Sequence, residues 1–142
     1  MEITENELQS LARTALKARS YSYVPYSHFA VGAALMTEDG RIYRGCNIEN
    51  AAYSVAVCAE RTAIFKAVSE GERKFKALAV CGGKAGTEPE NFCTPCGVCR
   101  QVMAELCGLD MPVYLVKSAE EIKKYTVREL LPLSFRLEQN EK

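Results

Sequence analysis

Cysteine placement constrains this chain more than any other feature: Cys58 stands in Cys58-Ala59-Glu60, and a pair stands in Pro95-Cys96-Gly97-Val98-Cys99. Cys96 and Cys99 are three positions apart, so on a helix they share a face and both reach one metal ion. Cys58 and Glu60 are two apart, and in mid-helix such side chains diverge. They serve one site only from a first helical turn, aimed off its N-terminal end. Joining these pieces requires a fold that brings two helix N-termini face to face. There both macrodipoles favour deprotonated thiols.

The chain has seven cysteines in 142 residues, an odd number. An oxidised, secreted scaffold normally shows an even number and depends on bridges because its core is small. At this length a domain buries roughly 70% of its unfolded surface, so the core needs no staples, and one domain over residues 1–142 is expected. The start, Met1-Glu2-Ile3-Thr4-Glu5, is acidic and opens an amphipathic pattern, unlike a signal peptide. A reduced, cytoplasmic protein is the expectation. In that compartment closely spaced cysteines hold metal or do redox chemistry more often than they form disulfides. Eighteen basic and 18 acidic side chains give zero net charge, which argues against gripping nucleic acid or an anionic membrane. No apolar run approaches the roughly 20 residues of a membrane span.

Residues 4–20 read as a helix, with Thr4 as cap, Glu7 as its capping-box partner, and Leu8, Leu11, Ala12, Ala15 and Leu16 as the apolar stripe. Phe29–Thr37 and Arg41–Cys46 read as strands joined at Glu38-Asp39-Gly40, a strong hairpin signal. Ala59–Val68 reads as a helix ended by Gly71, and Lys76–Cys81 as a strand running into Gly82-Gly83. Pro95–Cys107 reads as a helix with Thr94 as N-cap, Pro95 in its first position and Gly108 as its stop. Val113–Val116 reads as a strand, Lys123-Lys124 as a solvated face, and Glu129–Leu131 as a helical turn before Pro132. A hairpin followed by helix-separated strands makes an α/β fold: a mixed sheet with helices packed on it.

Three protein ligands with an open fourth position make a catalytic zinc site, whereas four close a structural one. A nearby carboxylate that is not a ligand is suited to general acid–base work, and Glu60 fits that role. Three thiolates and Zn²⁺ sum to −1, which weakens the ion as a Lewis acid. The helix dipoles oppose this, and Arg61 is placed to compensate by donating to a ligand sulfur.

Cys58-Ala59-Glu60 with Pro95-Cys96-Gly97-Val98-Cys99 matches the His-x-Glu…Pro-Cys-x-x-Cys signature described for zinc nucleobase deaminases, in its three-cysteine variant. The chain resembles the small homotetrameric cytidine deaminases. The likeness runs collinearly from Tyr26-Ser27-His28-Phe29-Ala30-Val31-Gly32 through Asn47-Ile48-Glu49-Asn50-Ala51-Ala52-Tyr53 and both cysteine motifs to Leu130-Leu131-Pro132-Leu133-Ser134-Phe135. It implies a mixed five-stranded sheet sandwiched between helices in three layers. It also implies hydrolytic deamination of cytidine and deoxycytidine to uridine and deoxyuridine, with release of ammonia, in pyrimidine salvage. By that resemblance Cys58, Cys96 and Cys99 hold one zinc per subunit and Glu60 moves protons. Asn47 and Glu49 would bind the ribose, Phe29 would pack on the base, and the backbone at Ala59 would meet the base edge. Tyr53 and Phe135 would contribute across the subunit boundaries of a homotetramer.

Each residue also has a plainer reading. Phe29 fits a core position, Asn47 and Glu49 fit a turn after a strand, and His28 fits a surface or structural place. Cys93 lies before the second cysteine motif and reads as a non-ligand, while Cys46, Cys81 and Cys107 read as small apolar residues. Three alternatives stand beside salvage: a deaminase of a cytosine-containing nucleoside antibiotic, a non-catalytic zinc-binding module, and a deaminase acting on bases within RNA or DNA. The last would want a basic groove and aromatic platforms, which a neutral, short chain does not offer.

Overall fold

The computed structural model describes residues 2–137. The elements run α1 (Glu5–Ala18), β1 (Phe29–Thr37), β2 (Ile42–Cys46), α2 (Ala59–Ser69), β3 (Phe75–Lys84), α3 (Gly97–Leu106), β4 (Pro112–Val116), β5 (Ile122–Thr126) and α4 (Val127–Leu130). Short 3₁₀ turns at Arg19–Tyr21 and Tyr53–Val55 follow α1 and precede α2. Five strands form one sheet in the order β2-β1-β3-β4-β5. β3 and β4 are parallel, joined by α3, and every other pairing is antiparallel.

Alternation along the central strands sorts the core into two layers. Ala34 and Met36 of β1, with Ala77 and Ala79 of β3, face Leu11, Ala12 and Ala15 of α1. Ala33, Leu35, Leu78 and Val80 face the other way, onto Ala63, Ile64 and Ala67 of α2 and Met103 of α3. Helices on both faces make the expected three-layer α/β arrangement.

α1 begins at its capping box: Glu7 N–H donates to Thr4 Oγ1 at 3.1 Å, and Thr4 N–H donates to Glu7 Oε1 at 3.0 Å. Two glycines set how close the helices approach the sheet. A Cβ at Gly45 of β2 would lie 2.5 Å from the Ala59 carbonyl oxygen and 2.6 Å from the Ala63 nitrogen, so the first turn of α2 rests directly on that strand. A Cβ at Gly32 of β1 would lie 2.1 Å from the Ala15 carbonyl oxygen on the opposite face.

Four elements differ from the sequence reading. α3 starts at Gly97 with Cys96 as N-cap, rather than at Pro95 behind Thr94. The Cys96 carbonyl begins the helical ladder, accepting from Arg100 N–H at 3.0 Å, while Pro95 is buried ahead of the helix and its carbonyl accepts from Arg100 Nε. β3 continues through Gly82-Gly83 to Lys84, paired with Val31, Ala30 and Phe29. β5 occupies the segment read only as a solvated face. Lys123 and Lys124 are exposed, as an edge strand tolerates, so no apolar alternation announced it. α4 starts two residues earlier than expected, behind a second capping box formed by Thr126 and Glu129.

Candidate metal centre and active site

Cys58 is the N-cap of α2 and Cys96 the N-cap of α3; both have extended backbones there (ψ 156° and 169°), and neither side chain caps its own helix. The sulfurs are thus free to point off the helix ends. Cys99 sits one turn into α3 and is buried. The Cys58 and Cys96 sulfurs lie 3.7 Å apart, and all three sulfurs fall within 4.8 Å of one another. Around a tetrahedral zinc with Zn–S near 2.3 Å, sulfurs stand about 3.8 Å apart. The donor set of three sulfurs therefore fits one zinc ion. Among the described residues this is the one metal-ligand cluster, and Cys93 is outside it.

Arg61, in the first turn of α2, donates from Nη2 to Cys58 Sγ at 3.5 Å, the contact expected of a residue that offsets ligand charge. The hydrogen bond to Cys58 is the main reason its guanidinium holds its proton more firmly than usual. The Cys58 thiol is pushed down to about 5, chiefly by the hydrogen bond from Cys99 and then by Arg61 and Cys96, against the effect of burial. Cys99 moves the other way, because its proton is held against Cys58 and because it is buried.

Glu60 is 3% exposed, in the second position of α2, and is not part of the sulfur cluster. Burial raises its carboxyl to about 7, and the neighbouring Cys58 charge adds to the rise. A carboxyl with that proton affinity exchanges protons near neutrality.

Glu60, Cys58 and Cys96 line one cavity of about 390 Å³, together with Ala59, Asn47, Glu49 and Tyr53. The β2–α2 loop brings the last three there. Ile48 and Val57 pair through two backbone hydrogen bonds of 3.0 Å, which sets Asn47 and Glu49 across from the residue before Cys58. Asn47 accepts from Val31 N–H at 2.9 Å and donates to the Phe29 carbonyl at 2.9 Å. Glu49 accepts from the Tyr26 and Ser27 N–H groups at 3.0 and 3.2 Å and from the Ser27 hydroxyl. These contacts, the Ser27 hydroxyl first, hold its carboxyl below the ordinary value of 4.5. Tyr53 is 82% exposed on the rim.

Two residues named from the sequence lie elsewhere. Phe29 is 44% exposed and lines an adjoining hollow of about 280 Å³ with Gly82, Phe92 and Cys93. Phe135 is 68% exposed after α4, its carbonyl held by Gln101 Nε2 at 3.1 Å, and it does not line the cavity of its own chain. Cys93 is the residue sequence reasoning left without a place: it lies in the wall shared by the cavity and the hollow. Burial pushes its thiol up to about 11. Gly82 makes room for it, since a Cβ there would lie 2.9 Å from Cys93 Sγ and 3.0 Å from the Phe29 ring. The glycine pair inside β3 was the one available sign of that close approach.

A family model for the cytidine and deoxycytidylate deaminase zinc-binding region matches residues 5–115. The cytidine deaminase of Sporosarcina psychrophila is 55% identical over 129 residues, 91% of this chain and 91% of that protein. That of Halalkalibacterium halodurans is 52% identical over 130 residues, covering 92% and 95%. The crystal structure of cytidine deaminase from Burkholderia pseudomallei superposes with a TM-score of 0.82 at 42% identity, covering 94% of this chain and all of that one. Fold, sulfur cluster and relatives agree, and the chain belongs to the cytidine and deoxycytidylate deaminase family.

Proposed function

We propose that this chain is a zinc-dependent hydrolase that deaminates cytidine and deoxycytidine to uridine and deoxyuridine, releasing ammonia. The observation that carries this reading is the meeting of three sulfurs and a buried, non-ligand Glu60 with Asn47 and Glu49 in one cavity. When bound, zinc supplies a Lewis acid that brings the pKa of water to about 7. Glu60 accepts the proton of the water that adds to C4 of the pyrimidine. It delivers that proton to ring N3, then takes the proton of the new C4 hydroxyl as the carbonyl forms and passes it to the amine as the C4–N bond breaks, so one carboxyl serves both transfers. Arg61 offsets the charge of the three thiolates. The two helix N-termini add their dipoles on the same side.

Asn47 and Glu49 bind the sugar hydroxyls, which makes free cytosine a poor substrate because their polar groups would be left unpaired. The Ala59 backbone meets the base edge, and Phe29 packs on the base from the adjoining hollow. Tyr53 and Phe135 are exposed enough to serve a neighbouring subunit, in keeping with a homotetramer whose active sites lie near interfaces. Residues 1–142 act as one domain, in the cytoplasm and in pyrimidine salvage, with no nucleic-acid or membrane partner. No helix among the described residues is long and apolar enough to cross a membrane. Relatives that are cytidine deaminases favour ordinary nucleosides over an antibiotic substrate.

The test is the loss of cytidine absorbance on adding purified protein, repeated with Glu60→Gln and with a zinc chelator. We expect turnover by the parent, zinc retention with at least about a hundredfold lower kcat in Glu60→Gln, and inactivation by chelation. A folded, zinc-loaded parent that leaves cytidine unchanged overturns the reading.

A further inference from the structure

The segment that leads into β1 passes through an unfavourable conformation. His28 has φ 58°, in the left-handed region that side chains with a Cβ rarely occupy. Such a conformation persists where its surroundings over-determine it. Here His28 N–H donates to the Val24 carbonyl at 3.1 Å and the His28 carbonyl accepts from Ala85 N–H at 2.8 Å, while two side chains of the β2–α2 loop hold the residues on either side. Asn47 bonds to the backbone of Val31 and Phe29, and Glu49 Oε1 takes the N–H groups of Tyr26 and Ser27.

Ser27 joins these two anchors. Its hydroxyl donates to Glu49 Oε2 and accepts from Phe29 N–H at 3.0 Å. One hydroxyl therefore ties the second carboxylate oxygen to the residue that starts β1. Without it, Glu49 would be held only through Oε1 and free to pivot about that oxygen. Ser27 does not line the cavity that holds the sulfurs. It lines a neighbouring hollow with Tyr26, Glu49 and Tyr53, so it reaches Glu49 from behind.

We propose that Ser27 is a positioning residue for sugar recognition: its hydroxyl fixes the orientation of the Glu49 carboxylate and so sets how strongly the site discriminates nucleosides by their sugar hydroxyls. This rests on the reading of Glu49 as a sugar contact. Ser27 stands outside the lining of the sulfur cavity, and its influence passes through Glu49 and the Phe29 backbone. Its effect belongs to binding of the hydroxyl-bearing sugar and disappears for a nucleoside that lacks those hydroxyls.

The experiment measures kcat and KM for cytidine, and Ki for 2′,3′-dideoxycytidine as a competitor, in the parent, Ser27→Ala, Ser27→Thr and Glu49→Ala. Zinc content and thermal midpoint are recorded for each. Ser27→Ala is expected to raise KM for cytidine about five- to tenfold, as expected for loosening a charge-assisted hydrogen bond. Its kcat and its Ki for the dideoxynucleoside should stay within about twofold. Ser27→Thr keeps the hydroxyl and should restore KM to within about twofold of the parent. If Ser27→Ala weakens both nucleosides equally, or lowers kcat at unchanged KM, while Glu49→Ala weakens cytidine selectively, the positioning role is overturned and the sugar reading stands. If Glu49→Ala itself weakens both nucleosides equally, the sugar reading fails and the role of Ser27 falls with it.

Discussion

Gly45→Ala tests whether the sheet sets the geometry of the metal centre. The new Cβ would sit 2.5 Å from the Ala59 carbonyl oxygen and 2.6 Å from the Ala63 nitrogen, both backbone atoms of α2, where ordinary contact begins at 3.4 Å. The start of α2 must therefore retreat by roughly 0.9 Å, the difference between 3.4 and 2.5 Å. Cys58 and Glu60 travel with it, whereas Cys96 and Cys99 stay on α3. Metal–ligand distances tolerate only about ±0.2 Å, so the shift exceeds the tolerance severalfold. Replacing glycine by alanine favours folding by about 0.4–1 kcal/mol through the unfolded chain, but overpacking a rigid contact costs about 1–3 kcal/mol, so the clash wins.

The assays are urea unfolding, zinc competition against a chromogenic chelator, and cytidine turnover. Gly45→Ala should lose about 1 kcal/mol of stability or more, bind zinc at least about tenfold more weakly, and lose turnover in parallel. Gly32→Ala is the control. Its Cβ would meet the Ala15 carbonyl oxygen at 2.1 Å on the opposite face, so it should lose stability with a smaller change in zinc affinity. Parent-like zinc affinity in a destabilised Gly45→Ala protein would refute the coupling between strand and metal centre.

Cys93→Ser should retain one zinc per chain, whereas Cys96→Ser should lose it, as read by metal analysis after gel filtration; loss in the first variant would make Cys93 a ligand. Lys76 Nζ lies 3.0 Å from Glu7 Oε1, and the Glu7 carboxyl is held below 4.5, by the Thr4 N–H first and by Lys76 next. A lowered carboxyl stabilises above its unfolded value and loses that contribution as pH falls through the folded value. Glu7→Gln, which keeps the capping-box acceptor, should therefore unfold at lower urea than the parent at pH 7, with the gap narrowing as pH falls below 4.5 and through the folded-state value. Thr126→Ala removes the capping box of α4 and should cost about 1 kcal/mol in urea unfolding; an unchanged midpoint would mean that packing alone holds that turn.

Much of this architecture is legible locally. α1 announces itself by Thr4 and Glu7, and the hairpin by Asp39-Gly40, whose glycine has φ 95°. The site stands out because Cys96 and Cys99 share a helix face and the Cys58–Glu60 spacing works only at a helix start, where Cys58 is the N-cap of α2 and Glu60 lies in its first turn. What was hidden depends on distant neighbours. β5 is an edge strand whose exposed lysines erase the alternation, and β3 runs on through Gly82-Gly83 because Cys93 and Phe29 close over those glycines. Nothing in the spacing of Phe29 and Cys93 shows that they share a hollow, since 63 residues of chain fold between positions 29 and 93. Thr126-x-x-Glu129 was a readable helix start that the polar run before it obscured.

The split of the sulfurs over two helices also dictates when the site comes into being. Cys58 and Cys96 are 38 residues apart, and the chain between them contains α2 and all of β3. β3 pairs with β1 on one side and β4 on the other, so the helix ends converge only after the middle of the sheet has closed. The Cys96–Cys99 pair is local, whereas the third sulfur joins it through a contact 38 residues distant in sequence, whose loop-closure entropy must first be met. Zinc capture is then a late event in the life of the chain. Metal uptake followed in real time should lag the appearance of helix and sheet.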